Sequence, residues 1–308
     1  LDQEEQALVH GFVVNKFRGD PRLFDDGITI LEERSGKRVL GVMPWLKDLY
    51  LPEEDGVALD NLSVQKDGDI DIAVIRLPRI SNFDDFDPLE KEPNVRVRYV
   101  QKAEDLGQPD AIILPGTKTT VPDMAWLWES GLALKIQELE KQGTAVVGIC
   151  GGYQMLGKMI YDPDLIESDR PEVAGLAVFD YDTTFVGEKA TYRSKAKITG
   201  GIGWLAGLEG SMIEGYEIHM GRTGSESAWL QFAERGDASV SLPDGSMDAA
   251  GRVWGCYMHG LFENDDLRRA WLGSLGLVEP GVNLPSLDES LERLADELEA
   301  NLNLSGLG

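Results

Sequence analysis

The strongest constraint on the fold is a cysteine placed between an apolar strand and a helix. Residues 144–149 are mostly apolar and partly β-branched, as in a buried strand, and Cys150 follows directly. Gly151 and Gly152 then open a segment with helical spacing. A residue on such a strand-to-helix turn projects in a strained conformation, which small neighbours make sterically possible. This segment therefore predicts a sharp turn that presents Cys150.

Cys150 is the candidate nucleophile of the chain. A helix N-terminus behind a cysteine favours the thiolate, and the backbone N–H groups that follow can receive an oxyanion. The competing interpretation is a buried cysteine that acts as a small hydrophobe, which is the commoner role of a lone cysteine. An inert core cysteine has no need of glycines at 148, 151 and 152, so the pattern favours the nucleophile.

A thiol nucleophile needs a base, and the chain has three histidines. His259 ends an apolar strand and precedes Gly260, a position from which a ring nitrogen can reach a neighbouring site. His219 is the competing candidate. His10 lies inside the first apolar strand, where a structural role is expected. The alternative for His259 is a loop histidine with no catalytic role.

Two other kinds of site are disfavoured. Two cysteines and three scattered histidines make a poor zinc site, so no metal ligands are predicted. The segment 114–120 resembles a phosphate loop only superficially, because Ile112 stands where the motif requires glycine. Pro115 and Gly116 instead predict a tight turn at the end of a strand, which aims a backbone N–H into the adjacent crevice.

Composition excludes several classes of protein. The 308 residues carry 29 Lys plus Arg against 54 Asp plus Glu, a net charge of −25, which disfavours nucleic acid and anionic lipid as partners. No apolar run approaches the roughly 20 residues of a membrane helix, and the first residues lack the features of a secretory signal. Two cysteines do not make a disulfide scaffold. We expect a cytoplasmic protein.

Alternating strand and helix patterns indicate an α/β fold. A first region contains predicted strands at 9–15 and 38–43 around a helix at 23–35, and the polar stretch 64–71 marks a boundary. After the boundary, strands are predicted at 72–77, 94–99, 111–114 and 144–149, a helix at 126–142, short strands over 173–253, and terminal helices at 267–275 and 286–302. The first region is too small to bury both faces of a sheet, so we expect it to be the least stable.

The motifs together resemble the class I glutamine amidotransferase domain. Residues 148–154 (Gly-Ile-Cys-Gly-Gly-Tyr-Gln) are similar to its nucleophile turn, and 258–260 (Met-His-Gly) to its histidine segment. Five further segments resemble the cobyric acid synthase family, at residues 15–20, 40–44, 76–86, 114–118 and 215–221. The resemblance implies a class I glutamine amidotransferase-like fold, a flavodoxin-like mixed sheet flanked by helices, over 67–308. It also implies that 1–66 are the C-terminal remnant of a P-loop-type α/β domain like dethiobiotin synthetase.

The resemblance further implies a mechanism. Cys150 would attack the side-chain amide of glutamine, and His259 would serve as general base and then acid. The N–H groups of Gly116 and Gly151 would form the oxyanion hole, while Gln154 and His219 would line the glutamine pocket. Ammonia would pass to a synthetase site where ATP and Mg²⁺ activate carboxylates of a corrinoid, adenosylcobyrinic acid a,c-diamide.

The chain departs from the family pattern at two places. Class I enzymes carry His-x-Glu, but Leu261 stands two residues after His259, which implies a Cys–His pair; Glu217 and Glu263 are candidates for an orienting carboxylate. The second departure is that no phosphate-loop motif occurs in these residues. Asn15 and Lys16 remain candidates to face a nucleotide base. The expected activity is glutamine hydrolysis, with an N-terminal ATP-binding half as partner, whether this chain is a fragment or a subunit.

Three alternatives remain open from the residues. The chain could serve an amidotransferase for another acid, such as cell-wall lipid II. It could be a non-catalytic binding module of the same fold, or a cysteine protease with the same nucleophile turn. The first region and the segment 76–86 favour the cobyric acid synthase interpretation.

Overall fold

The computed structural model describes residues 2–46, 69–224, 227–278, 287–303 and 305. The chain divides into two compact units, one formed by Leu1–Pro52 with Pro285–Gly308 and the other by Glu53–Leu284. Each unit is described by itself, with helices and strands numbered in chain order.

The first unit contains the predicted β-α-β arrangement. Its elements before the gap are α1 (Gln3–Leu8), β1 (Gly11–Phe17), α2 (Asp25–Ser35) and β2 (Arg38–Pro44). Strands β1 and β2 pair in parallel, which confirms the parallel sheet expected from the pattern. Helix α2 ends where Gly36 takes a left-handed conformation and its N–H donates to the Glu32 carbonyl, a common helix stop.

The last helix of the chain, α8 (Leu287–Asn301), also belongs to this unit. The Asn303 N–H donates to the Leu40 carbonyl at 2.7 Å, and Leu302 forms a β-bridge with Gly41. A Cβ on Gly41 would lie 2.0 Å from the Asn301 carbonyl oxygen, so only glycine permits this approach. Residues 285–308 thus group with the first unit, whereas the predicted division was into 1–66 and 67–308. That division stays a prediction, and its boundary at 66 lies outside the described residues.

A mostly parallel sheet forms the centre of the second unit. Its strands are β3 (Ile70–Ile75), β4 (Val95–Val100), β5 (Ala111–Leu114), β6 (Ala145–Ile149), β13 (Ser246–Met247) and β14 (Val253–Cys256). The strand order is β13-β14-β6-β5-β3-β4, and β13 alone in this sheet pairs antiparallel. The four strands predicted over 72–149 all lie here, each displaced by two residues at most.

Helices cover both faces of this sheet. They are α3 (Asp87–Lys91), α4 (Thr120–Glu129), α5 (Leu132–Gln142), α6 (Gly151–Met155) and α7 (Asp265–Ser274). Residues of β3 alternate between two buried clusters: Ile72 and Val74 belong to one, Ala73 and Ile75 to the other. A strand buried on both faces is apolar throughout, which explains its continuous apolar run.

The single helix predicted at 126–142 is wrong. Two helices occupy this range, because α4 ends at Glu129 and α5 begins at Leu132. Gly131 between them has φ of 77°, in the left-handed region that interrupts a right-handed helix.

A second, largely antiparallel sheet follows. It contains β7 (Met159–Tyr161), β8 (Glu172–Ala174), β9 (Asp182–Ile198), β10 (Met212–Thr223), β11 (Leu230–Arg235) and β12 (Ala238–Asp244). The expectation of short strands is wrong for β9 and β10, which have 17 and 12 residues. These two strands pair antiparallel with one break in register, opposite His219 and Gly221.

Within the described ranges, no helix is long and apolar enough to cross a bilayer. No group of three or more His, Cys, Asp or Glu side chains in the same ranges is placed to hold a metal ion.

Candidate active site

Cys150 occupies the turn between β6 and α6. Its φ of 51° and ψ of −107° are strained for a residue with a side chain. The turn is tied down by two backbone hydrogen bonds. The Cys150 N–H donates to the Cys256 carbonyl at 2.9 Å, and its carbonyl accepts from the Gln154 N–H at 3.1 Å. The surrounding structure thus imposes the conformation that the sequence predicts.

Glycines make this turn possible. A Cβ on Gly152 would lie 1.9 Å from the Leu114 carbonyl oxygen, and a Cβ on Gly148 would lie 2.7 Å from the Gly152 carbonyl oxygen. Neither position has room for a larger residue. Helix α6 therefore lies directly against β5 and β6, which leaves Cys150 at the edge of the sheet where the parallel strands end.

His259 follows β14, at the same edge of the sheet. Its side chain is buried, with 1% exposed, and Nδ1 lies 2.6 Å from an Asp85 carboxylate oxygen. The other Asp85 oxygen accepts the Gly260 N–H at 2.8 Å. The Tyr216 ring stacks on the imidazole, with centroids 5.0 Å apart and planes 13° apart. Contacts on its face and at one nitrogen thus hold the ring.

The charges around His259 favour its protonated form. Burial by itself lowers the pKa of the imidazole, but the charge and hydrogen bond of Asp85, together with the nearby Cys150, outweigh burial and raise the pKa well above its ordinary value. The Cys150 thiol itself donates to the Ile218 carbonyl at 3.4 Å. The two residues singled out from the sequence are therefore neighbours.

The carboxylate beside His259 is not one of the two candidates. Asp85 makes the contact, from a short 3₁₀ turn at Phe83–Phe86. Glu217 is buried and bonds to Ser194 at 2.5 Å and to Arg235 at 3.0 and 2.5 Å. Glu263 lies close enough to Asp85 for the two charges to interact, and burial and that charge raise its pKa. No local spacing identifies Asp85, which is 174 residues from His259.

A cavity of about 300 Å³ opens beside Cys150, and Gln154 and His219 both line it. The Gln154 amide is buried; its oxygen accepts from the Thr120 hydroxyl at 2.8 Å, and its nitrogen donates to the Tyr257 hydroxyl at 3.3 Å. The His219 ring stacks on Tyr257 with centroids 3.9 Å apart. Both residues predicted to contact glutamine therefore face the same space as the thiol.

Gly116 lies in the loop that follows β5, and Gly151 lies next to that loop at the start of α6. A Cβ on Gly116 would lie 2.9 Å from the His259 ring, and a Cβ on Gly151 would lie 2.8 Å from the Thr117 methyl group. Gly151 is also the first residue of α6, where a helix leaves its N–H groups without intrahelical acceptors. The two glycines are thus close to the reacting groups, and their function as an oxyanion hole remains a prediction.

Asn15 and Lys16 lie in the first unit and are both exposed on β1. The Asn15 amide oxygen accepts the Lys16 N–H at 2.8 Å, and Lys16 has a φ of 56°. Neither residue lines the cavity beside them, which is formed by residues 17–19, 44 and 45 and where the Arg18 guanidinium stacks on Trp45 at 4.2 Å. An exposed amide and ammonium suit hydrogen bonds to a base, so this assignment remains a prediction.

Comparisons with known proteins agree with this geometry. The CobB/CobQ-like glutamine amidotransferase domain matches residues 71–267. Cobyric acid synthase of Chloroflexus aurantiacus is 48% identical over 305 residues, which are 98% of this chain and 60% of that protein. The enzyme of the same name from Pelotomaculum thermopropionicum is 45% identical, over 99% of this chain and 61% of its own length. The chain thus spans about three fifths of the curated relatives it matches.

A solved structure shows the same fold. PurLQS from Thermotoga maritima aligns with a TM-score of 0.51, covering 68% of this chain and 99% of that one. The sequences are 17% identical, so this likeness concerns the fold alone. The predicted class I glutamine amidotransferase-like fold, a mixed sheet flanked by helices, is confirmed.

Proposed function

The chain belongs to the CobB/CobQ-like glutamine amidotransferase family, and from that premise we propose that its second unit hydrolyses glutamine to glutamate and ammonia through Cys150 and His259. The observation that carries the proposal is the strained Cys150 turn, which lies beside a buried His259 that Asp85 holds in place. A cysteine beside a protonated histidine is the arrangement that favours a thiolate nucleophile.

In the first step, the Cys150 sulfur attacks the side-chain carbonyl carbon of glutamine. The carbonyl oxygen becomes an oxyanion, which the N–H groups of Gly116 and Gly151 stabilise. His259 gives its proton to the amide nitrogen, the carbon–nitrogen bond breaks and ammonia leaves. Glutamate remains attached to Cys150 as a thioester.

In the second step, water attacks the thioester carbon. His259, now neutral, accepts a proton from that water, and the carbon–sulfur bond breaks. The thiolate and the protonated His259 are restored, and free glutamate departs. Asp85 keeps the same ring nitrogen occupied throughout, because it contacts Nδ1. The other nitrogen therefore serves both proton transfers.

The ammonia is proposed to amidate carboxylates of a corrinoid, adenosylcobyrinic acid a,c-diamide, in an ATP- and Mg²⁺-dependent step. The similarity to cobyric acid synthase over nearly the whole chain supports this acceptor over cell-wall lipid II. The ATP and Mg²⁺ chemistry is assigned to the part of those relatives that this sequence does not span, and Asn15 and Lys16 are proposed to meet the nucleotide base. No phosphate loop occurs in these 308 residues.

The test is glutamate release from glutamine by the purified chain, its Cys150→Ala variant and its His259→Ala variant. Both substitutions should reduce release at least about 100-fold, because each removes a reacting group. Cys256→Ala is the matched control: Cys256 is the second cysteine, is fully buried and meets Cys150 through its backbone carbonyl. It should retain release.

The same measurement separates the alternatives. If the parent releases no glutamate, and a diazo-ketone analogue of glutamine leaves Cys150 unlabelled even with the ATP-binding half of a relative added, the binding-module interpretation replaces this one. Release by the Cys150→Ala variant at the parent rate would also overturn the proposal.

A further inference from the structure

A second cavity adjoins the one beside Cys150, and the two hydrolysis steps do not use it. It lies against the antiparallel sheet of the second unit and has a volume of about 370 Å³. His219, Met220 and Lys189 line both cavities, so the two share a wall. A molecule in the second cavity would therefore lie next to the place where ammonia is released.

Basic side chains surround this second cavity, although the chain as a whole has a net charge of −25. The described basic residues in its lining are Lys189, His219, Arg222 and Arg235. The acidic residue described there is Asp244, which is buried and whose carboxylate accepts the N–H groups of Tyr257 and Gly245. Because Lys189 and Arg222 are exposed and Asp244 is buried, an entering ligand first meets positive charge.

Arg235 is held in place before any ligand binds. Two of its nitrogens, Nε and Nη2, donate to the two oxygens of the buried Glu217 at 3.0 and 2.5 Å. The guanidinium also lies over the rings of Tyr192 and Phe232, at 5.4 and 5.1 Å from their centroids. Among the described residues, none accepts a hydrogen bond from the third nitrogen, Nη1. A fixed guanidinium with a nitrogen to spare is suited to bind a further carboxylate.

Lys189 supplies an ammonium group at the same cavity. It is the last residue of a bulge in β9, where residues 186–189 stand opposite Met220 alone in the pairing with β10. Bulges of this kind redirect side chains and are common next to active sites. In the described part of the chain, no carboxylate forms an ion pair with Lys189. Its charge is therefore available to an anion that enters the cavity.

Apolar side chains form part of the rim. Tyr192 on β9 and Leu242 on β12 both line the cavity and are 41% and 40% exposed. Exposed apolar groups beside cations suit a ligand that has an apolar body and anionic arms. The acceptor in the proposed function has this form, because a corrinoid carries carboxylate arms around a macrocycle. The macrocycle is too large for about 370 Å³, whereas one arm fits.

We propose that this second cavity binds a carboxylate arm of the corrinoid acceptor, with Lys189 and Arg235 on the carboxylate and with Tyr192 and Leu242 against the macrocycle. The bound arm is one that is not reacting, because ATP-dependent activation is assigned to the part of the relatives that this sequence does not span. The proposal rests on the proposed function, since it concerns the acceptor of the same ammonia. A local basic site is needed because a chain with a net charge of −25 repels a polyanion.

The test is equilibrium dialysis of the purified chain against two corrinoids, whose colour reports the bound fraction. Dicyanocobyrinic acid a,c-diamide carries free carboxylates, and dicyanocobinamide has the same macrocycle with amides in their place. The parent should bind the diamide at least roughly 10-fold more tightly than dicyanocobinamide, as expected for one charged hydrogen bond. Repulsion by the net charge of the chain would produce the opposite order.

Lys189→Met should remove most of this preference. It keeps the side-chain stem and removes the charge, so affinity for the diamide should fall about 10-fold while affinity for dicyanocobinamide stays the same. Leu242→Asn should weaken the binding of both corrinoids alike, because it changes the rim and not the cations. Lys197→Met is the matched control: Lys197 is an exposed lysine on the same strand, outside the residues that line the cavity, and its loss should leave both affinities at the parent values.

Three results would overturn the inference. The first is that the parent binds the diamide no more tightly than dicyanocobinamide, or binds neither. The second is an equal loss of affinity in Lys189→Met and Lys197→Met, which would show a general effect of charge. The third is that glutarate, a dicarboxylate without a macrocycle, binds as tightly as the diamide, which would indicate a general anion site.

Glutamate release separates this failure from failure of the proposed hydrolysis, because that assay needs no corrinoid. A chain that releases glutamate but shows any of the three results retains the proposed glutaminase activity and loses this inference. A chain that prefers the diamide but releases no glutamate, with Cys150 also unlabelled by the glutamine analogue, loses the proposed hydrolysis and retains the corrinoid site.

Discussion

At the scale of residues, the contact between Asp85 and His259 decides the state of the candidate base. Both side chains are buried, at 3% and 1% exposed, where a lone charge would be costly. Each Asp85 oxygen has a donor, since Nδ1 of His259 takes one and the Gly260 N–H takes the other. This pairing fixes one ring nitrogen of His259, so the proposed proton transfers would use the second.

Asp85→Asn should lower the pKa of His259, because it removes the main negative charge that raises it. The alkaline limb of the glutaminase pH profile should move to lower pH, and kcat should fall roughly 100-fold. Protonated His259 also adds to the free energy of unfolding, because its pKa in the folded protein lies above the ordinary value. This contribution is present below about pH 6.5 and is lost as pH rises through the folded pKa. The variant should lose that contribution.

The matched control for this change is Glu263→Gln, which alters the carboxylate two residues beyond Leu261 rather than the one that contacts His259. It should leave the alkaline limb where it is. If Asp85→Asn and Glu263→Gln have the same pH profile as the parent, Asp85 does not position His259.

At the scale of elements, the site depends on how closely α6 approaches β5. Because Gly152 has no side chain, α6 can contact the Leu114 carbonyl of β5. Because Gly148 has none, β6 can lie against the Gly152 carbonyl of α6. Interiors of proteins are close-packed, so an added methyl group at such a contact must move backbone. The nucleophile turn is therefore a property of three adjoining elements rather than of one motif.

Gly152→Ala should destabilise the second unit by about 3 kcal/mol or more, because its new methyl group would meet the Leu114 backbone. Gly273→Ala, on α7 with open space around the added carbon, should be neutral or slightly stabilising. Urea unfolding of both variants measures the difference. Equal stability of the two variants would show that the approach of α6 is looser than described.

Asp244, at the end of β12, should make the free energy of unfolding depend on pH. Asp244 is buried and accepts the Tyr257 N–H at 3.0 Å, and burial raises its pKa to about 6. An acid whose folded pKa is raised stabilises the fold at low pH and loses that contribution as pH rises through about 6. Between pH 5 and 8 the parent should lose about 1 kcal/mol relative to Asp244→Asn.

Unfolding free energies at the two pH values test this expectation. Asp237→Asn, which changes an exposed turn residue, should have the same free energy of unfolding as the parent at both pH values. A constant difference between the parent and Asp244→Asn across this range would show that Asp244 does not titrate there.

At the scale of the whole molecule, the two units differ in their cores. The described part of the first unit has three buried apolar side chains, Leu40, Val42 and Met43, each 5 to 9% exposed. The second unit buries apolar residues on both faces of its central sheet. Because hydrophobic burial is the main source of stability, the first unit is expected to open more easily.

Hydrogen exchange checks this expectation directly. Amides of β1 and β2 should exchange faster than those of β6, by roughly 100-fold or more, since local openings in small cores cost less than global unfolding. Equal protection of β2 and β6 would show that the first unit is as stable as the second, contrary to the prediction.

The local backbone features could be predicted, because they depend on neighbours in the chain. The glycines around Cys150 specify a tight turn through steric exclusion at their own positions, and the strands over 70–149 follow from short apolar runs. The break between α4 and α5 at Gly131 also depends on local sequence, but the apolar spacing over 126–142 favoured a single helix. The places of Gln154 and Gly116 beside Cys150 came from a resemblance and not from spacing.

Contacts between distant segments were decided only when the chain folded. Asp85 contacts His259 because β3 and β14 end at the same edge of one sheet. The local sequence of neither segment determines the order of these strands in the sheet. Helix α8 lies with β1 and β2 for the same kind of reason, since a glycine at 41 admits a backbone from the other end of the chain. Steric rules act between neighbours, whereas the partners of a side chain depend on which surfaces the whole chain buries together.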